Sequence, residues 1–329
     1  MLKKLFLRAP AEAGLSLLIL GLLAIIALAF PPFLDPANLR SAFDDTALLL
    51  MMAIGEMFVL LTRSVDLSVA ANAALTGMVV ALFNAAHPGV GILPVLVMAT
   101  VLGGLLGTLN GLLVWRLRIP AIVVTLGTLS VFRGLVYIVS GGAWVNSDQM
   151  SPLFLQFVRL PILGINLLSW TGIGTAILAF LFLRYTLTGR NIYAAGSNPN
   201  AATYAGIDVG RMQCVAFMLS GAISGLAGYF WVARFGVAYT DVASGFELQV
   251  IAACVIGGVS ISGGVGGVAG VVLGALFLGI IKNALPVVGI SPFFQMAFSG
   301  LVITVAVVLN AGTYGKRHGR RILEHREAP

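Results

Sequence analysis

Charge is what this sequence has least of. Only 9% of its 329 residues are Asp, Glu, Lys or Arg, against about 25% in an ordinary soluble domain. A soluble fold of this length would lack the polar surface to cover itself. Cysteine is nearly absent too. The two present, Cys214 and Cys254, lie in apolar segments and act as small fillers, which excludes a disulfide framework or a CxxC metal site. Three histidines (His87, His318, His325) form no HExxH pattern. No GxxxxGK[ST] phosphate loop exists, because Gly315-Lys316 is followed by Arg317. Ser, His and Asp occur but no motif groups them. Catalysis, including ATP hydrolysis by this chain itself, is not expected, nor is a cofactor or a metal. "GVGGVA" at 264–269 fits a loose dinucleotide fingerprint, but it opens an apolar span rather than following a soluble strand, so it is set aside.

What is present is hydrophobic. Apolar residues make up 59% of the chain, and mean hydropathy is +1.02. Several runs of about 18 or more apolar residues read as membrane-spanning helices. The fold class expected is all-α: a polytopic transmembrane bundle forming one domain over 1–329. Ten spans are placed at 13–31, 45–62, 67–86, 92–115, 120–140, 166–184, 212–233, 247–262, 266–283 and 294–311. The second and third are close enough to be one broken element. The first, preceded by Lys3, Lys4 and Arg8, is read as an uncleaved helix rather than a removable export signal.

Net charge is +7, and its distribution is topological. With both termini inside, fourteen of the nineteen basic residues fall in cytoplasmic segments, among them Arg63, Arg116, Arg118, Arg184, Arg190, Arg211 and the tail 312–329 with Lys316, Arg317, Arg320 and Arg321. That is the positive-inside bias. The tail is too short, and too poor in aromatics, to suggest a nucleic-acid partner.

Glycine is spaced for close helix packing. Gly103, Gly107 and Gly111 recur every fourth residue, as do Gly266, Gly270 and Gly274. Such stripes let helix backbones approach, and their recurrence hints at two related halves, as in many transporters.

Polar residues inside the spans are costly, by at least about 2.5 kcal/mol for an ionised group, and so mark internal cavities or pathways. Glu56 and Asp66 are the leading pathway candidates, with Asn72, Asn110, Thr125 and Thr128 beside them. For these last four, hydrogen bonding between helices is favoured over cargo contact. The rival role for the carboxylates is an ion pair with Arg63 at the membrane edge. In "SVDLSVAANAALTG" (64–77), Asp66 and Ser68 suit the cap of a helix starting near Leu67. A break at this depth needs protein or a water-filled cavity around it.

One long polar island interrupts the apolar pattern: "TLTGRNIYAAGSNPNAATYAGI", 186–207, within a loop of about 185–211. Asn198 reads as an N-cap, Pro199 as the first helical residue and Gly206 as the stop. Ala201, Ala202 and Ala205 would leave a low-relief surface that another protein could grip.

The same island resembles the cytoplasmic loop of simple-sugar ABC importer permeases, the ribose, xylose, galactose and rhamnose type. The matching residues are Thr186, Gly189, Arg190, Tyr193, Ala194, Gly196, Asn198, Ala201, Ala202, Gly206, Ile207 and Val209. "VDLSV" at 65–69, "IPAIVVTLGTL" at 119–129 and "VIGGVSISGGVGGVAGVVLGAL" at 255–276 fit further signatures. Ala70 departs from the family's glycine, which puts the local turn geometry in question. The resemblance implies a bacterial inner-membrane permease subunit without its own nucleotide site. Its partners would be an ATP-binding-cassette subunit, a periplasmic sugar-binding protein and a second permease. Gly189, Arg190, Asn191, Tyr193, Gly196, Asn198, Ala201, Ala202, Gly206 and Ile207 would then couple the permease to the ATPase. Rhamnose or another deoxyhexose is the favoured cargo, with ribose, xylose and an autoinducer sugar derivative close behind. A branched-chain amino acid permease and an ion-coupled secondary transporter using Glu56 and Asp66 are the alternatives.

Overall fold

A computed structural model describes residues 10–287 continuously and isolated positions between 291 and 304. Lys3, Lys4, Arg8 and the basic tail, and most of the expected span 294–311, lie outside the described residues. Twelve α-helices occur among the described residues: α1 (Pro10–Ala29), α2 (Pro36–Leu61), α3 (Val69–Ala86), α4 (Ile92–Leu117), α5 (Ala121–Ser140), α6 (Pro152–Gln156), α7 (Leu167–Tyr185), α8 (Leu187–Ser197), α9 (Pro199–Tyr204), α10 (Val209–Phe235), α11 (Phe246–Ile256) and α12 (Val268–Val287). Four two-residue strands make small antiparallel ribbons. β1 (Val145–Asn146) pairs with β4 (Val237–Ala238), and β2 (Pro161–Ile162) with β3 (Ile165–Asn166).

Among the described residues, six helices are long and apolar enough to cross a membrane: Val69–Ala86, Ile92–Leu117, Ala121–Ser140, Leu167–Tyr185, Val209–Phe235 and Val268–Leu285. The helix α2 has the length, but Asp44, Asp45 and Glu56 interrupt its apolar run. The expected span 247–262 is corrected: its helix stops at Ile256. Eleven residues rise only about 16 Å, roughly half the hydrocarbon thickness. A glycine-rich turn follows, with Gly258, Gly263, Gly264 and Gly266 all at positive φ. Gly266 therefore lies in this turn, at φ 140°, and not in the helix of the expected span 266–283 where its spacing had placed it.

The core forms around α10, which packs on α4, α3 and α2. The helix α2 is buried almost all round from Asp44 to Leu61. By contrast α5 leaves Ile122, Val123, Leu126, Val131 and Ile138 exposed, as expected for a helix at the rim of a membrane bundle. The seam between α4 and α10 is made of glycine. A methyl on Gly107 would collide with the Phe217 carbonyl, and one on Gly103 with the Gly221 carbonyl. One on Gly111 would sit 2.7 Å from Cys214 Cα. The relation is reciprocal, since Gly221 and Gly225 abut the backbone at Gly103 and Ala99.

Charged groups gather at two opposite ends. At one end Arg234 pairs with Asp45 (3.3 Å), and Arg133 donates to the Val242 carbonyl (2.6 Å). Asp44 accepts there from Ser169 Oγ (2.7 Å). The other end carries Arg63, Arg118 and the helices α8 and α9.

Candidate functional site

Between α2 and α3 the chain leaves the helix for seven residues, 62–68. Buried backbone groups must find partners, and here other elements supply them. The Leu61 carbonyl accepts from Gly264 N–H (3.0 Å), Thr62 O from Gln213 Nε2 (3.4 Å) and Val65 O from Thr125 Oγ1 (3.1 Å). The Asp66 N–H donates to Glu56 Oε1 (3.0 Å). The break is thus hydrogen-bonded to α5, α10 and the glycine turn, which satisfies backbone groups that the lost helix leaves free.

A polar ladder leads inward from it. Asp66 Oδ1 accepts from the Ser68 N–H (2.9 Å) and hydroxyl (2.6 Å), and Ser68 Oγ accepts from Asn110 Nδ2 (2.8 Å). Asn72 Nδ2 donates across to the Gly103 carbonyl (3.1 Å), and its Oδ1 accepts from Thr76 (3.2 Å). Glu56 and Asp66 are both buried. Glu56 Oε2 and Asn110 Oδ1 have no hydrogen-bond partner among the described residues. Thr128 bonds within its own helix, to Val124 O (3.1 Å) and Thr125 O (3.4 Å). The expected capping is corrected in detail. The helix begins at Val69 with Ser68 as N-cap, and no side-chain cap bond is made. Asp66 instead folds its oxygen onto Ser68 in a local turn. Ala70 lies inside α3, where a glycine's freedom is not needed, so the departure from the family pattern disturbs no turn.

Arg63 does not pair with either carboxylate. Its Nε donates to the Gly196 carbonyl (2.6 Å) and its Nη2 to Ser197 O (3.0 Å), at the end of α8. Its backbone is left-handed, φ 63°, as is that of Arg118, φ 56°, an uncommon state outside glycine. Both arginines line a cavity of about 1020 Å³ that opens at this end, with Trp115, Gln213, Thr203 and Asp208. Sequence reasoning did not single out Gln213 or Trp115, since a lone Gln or Trp in an apolar run carries no spacing signal.

The polar island folds as two helices, not one. Thr186 Oγ1 caps α8 by accepting from Gly189 N–H (3.0 Å), and Asn198 Oδ1 caps α9 through Ala201 N–H (3.1 Å). Pro199 takes the first turn of α9, and Gly206 follows its end at φ 80°. Burial divides the ten residues named for this loop. Gly189, Gly196 and Ala202 face the bundle, while Arg190, Asn198, Ala201 and Gly206 are exposed and Asn191, Tyr193 and Ile207 are half-buried. Ala202, 4% exposed, is therefore corrected: it is a packing residue, not part of a graspable surface. Arg190, Ala201, Ala205 and Tyr204 are exposed, the last at 93%. The Tyr193 hydroxyl donates to the Gly266 carbonyl (2.9 Å), and burial pushes its phenol pKa up.

Known proteins match along most of this architecture. Residues 40–307 match the family described as branched-chain amino acid transport system / permease component. The L-arabinose ABC transporter permease protein AraH of Azospirillum brasilense is 35% identical over 313 residues, covering 94% of this chain and 91% of that protein. The autoinducer 2 import system permease protein LsrC of Salmonella typhi is 35% identical over 308 residues, 93% of this chain and 87% of its own. The same-named protein of Shigella flexneri is 37% identical over 301 residues, 89% and 86% of the two chains. No solved structure matches. The chain belongs to this family of multi-pass membrane permeases, among the simple-sugar ABC permeases that its loop, break and glycine-turn motifs resemble.

Proposed function

We propose that this chain is the membrane-spanning subunit of an ABC importer that moves a monosaccharide delivered by a periplasmic binding protein. The observation that carries the reading is the two-helix loop of α8 and α9. Its inner face is locked to the bundle by glycine contacts and hydrogen bonds, while its outer face, Arg190, Ala201, Tyr204 and Ala205, is exposed. Such a face suits the cleft of an ATPase on the cytoplasmic side. Closure of an ATPase dimer would push this loop and rock the bundle between inward and outward openings. ATP chemistry would sit on that partner chain, and a second permease, identical or not, would complete the pathway.

In this reading the α8–α9 end is cytoplasmic, as is the large cavity beside it, and the chain crosses the membrane about ten times. The helical glycine pairs Gly103–Gly107 and Gly270–Gly274 would mark two related halves. Glu56, Asp66 and Asn110, with Asn72 alongside, form the polar wall of the pathway. Their hydrogen-bonding groups suit a hydroxylated solute. The family's description would admit a branched-chain amino acid, but the relatives are described as transporting L-arabinose and autoinducer 2, which favours a sugar-like cargo. Rhamnose or another deoxyhexose is the first to test, then ribose and xylose.

The experiment is uptake of labelled monosaccharide into proteoliposomes holding this permease and its co-purified ATPase, with binding protein added outside. Uptake should require ATP and the binding protein and survive a proton uncoupler. Arg190→Glu, a charge reversal on the bare face, should leave the protein inserted but reduce uptake by about tenfold or more, a typical size for a coupling between distant sites. Uptake without the ATPase that collapses with the uncoupler would establish the ion-coupled alternative instead.

A further inference from the structure

Two helix ends and a turn meet at one point beneath the loop. They are the end of α2 at Leu61–Arg63, the end of α8 at Gly196–Ser197, and the glycine turn before α12 at Gly263–Gly266. Gly264 N–H donates to Leu61 O (3.0 Å). Ser197 Oγ donates to Gly264 O (3.3 Å), and Tyr193 to Gly266 O (2.9 Å). Arg63 closes the triangle by donating two hydrogen bonds to the last carbonyls of α8. A helix C-terminus presents unpaired carbonyls and partial negative charge, so a guanidinium there is favoured twice over.

The packing leaves no slack. A methyl on Gly196 would collide with Leu61 O and lie 2.7 Å from Gly264 N. One on Gly264 would lie 2.5 Å from Ser197 Cα. Arg63 holds its strained left-handed backbone at this spot, and strain of this kind persists where surrounding contacts over-determine it. Both elements joined to α8 here are breaks in the apolar pattern. The first runs straight into Asp66 and its bond to Glu56.

We infer that Arg63 is a positioning residue that gears the α8–α9 loop to both breaks at once, the 62–68 segment and the 257–267 turn. Displacing α8 then drags the two breaks together, and through Asp66 shifts the wall of the pathway. Arg63 acts through these carbonyls and touches neither nucleotide nor, in this arrangement, the buried carboxylates. The inference rests on the proposed role of the loop as the ATPase-facing element.

The test is the ratio of sugar imported to ATP hydrolysed by the whole complex in proteoliposomes. Arg63→Ala should keep the ATPase bound and hydrolysing while the ratio falls about tenfold, within the usual range of coupling between sites. Arg63→Lys, which returns one charged donor, should recover part of it, whereas a merely structural role would lower yield and leave the ratio untouched. An unchanged ratio in Arg63→Ala overturns the inference. Should that variant fail to assemble, Tyr193→Phe removes one hydroxyl at the other side of the joint. A smaller fall in the ratio is expected, and none would overturn the inference equally. The wild-type complex separates the two claims. If it shows no ATP-dependent uptake, the proposed function itself fails. If it transports and the variants keep its ratio, only the joint fails.

Discussion

The stripes Gly103–Gly107–Gly111 and Gly266–Gly270–Gly274 have the same spacing and different fates. The first lies wholly within α4, and every member meets the backbone of α10. Gly221 and Gly225 answer from the other side, so two helices of 26 and 27 residues touch along a long seam. In the second stripe only Gly270 and Gly274 are helical. They abut Gly257 and Ala253 at the end of the eleven-residue α11. Gly266 instead turns the chain, at φ 140° against Val259. Spacing announces that a backbone will come close. It does not say whether the partner is a long helix or the stub of a broken one.

That difference predicts a ranking. Gly107→Leu should be the most damaging, because both backbones in a long seam would have to part. Overpacking ordinarily costs about 1–3 kcal/mol and occasionally more, and this site belongs at the upper end. A large loss of monodisperse protein in detergent and a sharply lowered melting temperature are expected, and a stable Gly107→Leu protein would break the comparison. Gly270→Leu should cost less, about 1–2 kcal/mol, since the end of α11 and its turn can yield. Thermal melting of the two variants side by side measures the gap, and equal losses would mean the seams are equivalent. The smallest effect belongs to Gly134→Ala on α5, where a methyl meets nothing within 4 Å. Helix propensity alone should stabilise it, by about 0.5–1 kcal/mol at most. A fall in stability there would reveal a packed partner against α5.

The polar parts of the molecule were legible to different depths. The N-cap of α9 was readable from Asn198-Pro199 because capping is local chemistry, decided by a side-chain oxygen and the next few N–H groups. The cap of α8 used the same chemistry at Thr186, but a threonine after an apolar run is a weaker mark than Asn-Pro. The fate of Arg63 was not readable. An arginine three residues from an aspartate, and seven from a glutamate, invites an ion pair. The hydrogen bonds it makes are to residues 133 and 134 positions away. Ala202 illustrates the same limit. Its small size fitted both an exposed grip and a buried contact, and only the docking of α9 onto the bundle chose burial. The polar ladder from Asp66 to Asn110 joins residues 42 apart at its Ser68 step, a pairing with no counterpart in local pattern.

By itself the sequence determined the solvent and the punctuation of this protein. Apolar runs of sufficient length commit it to a membrane, because no soluble fold could cover them, and caps, glycines and polar islands set where helices stop, since those effects act within a turn or two. Tertiary structure alone decided which break meets which, where Arg63 spends its charge, and which face of the loop is left bare. Those outcomes depend on contacts between distant segments, where steric fit between backbones and the need to satisfy every buried carbonyl outweigh anything a neighbouring residue can dictate.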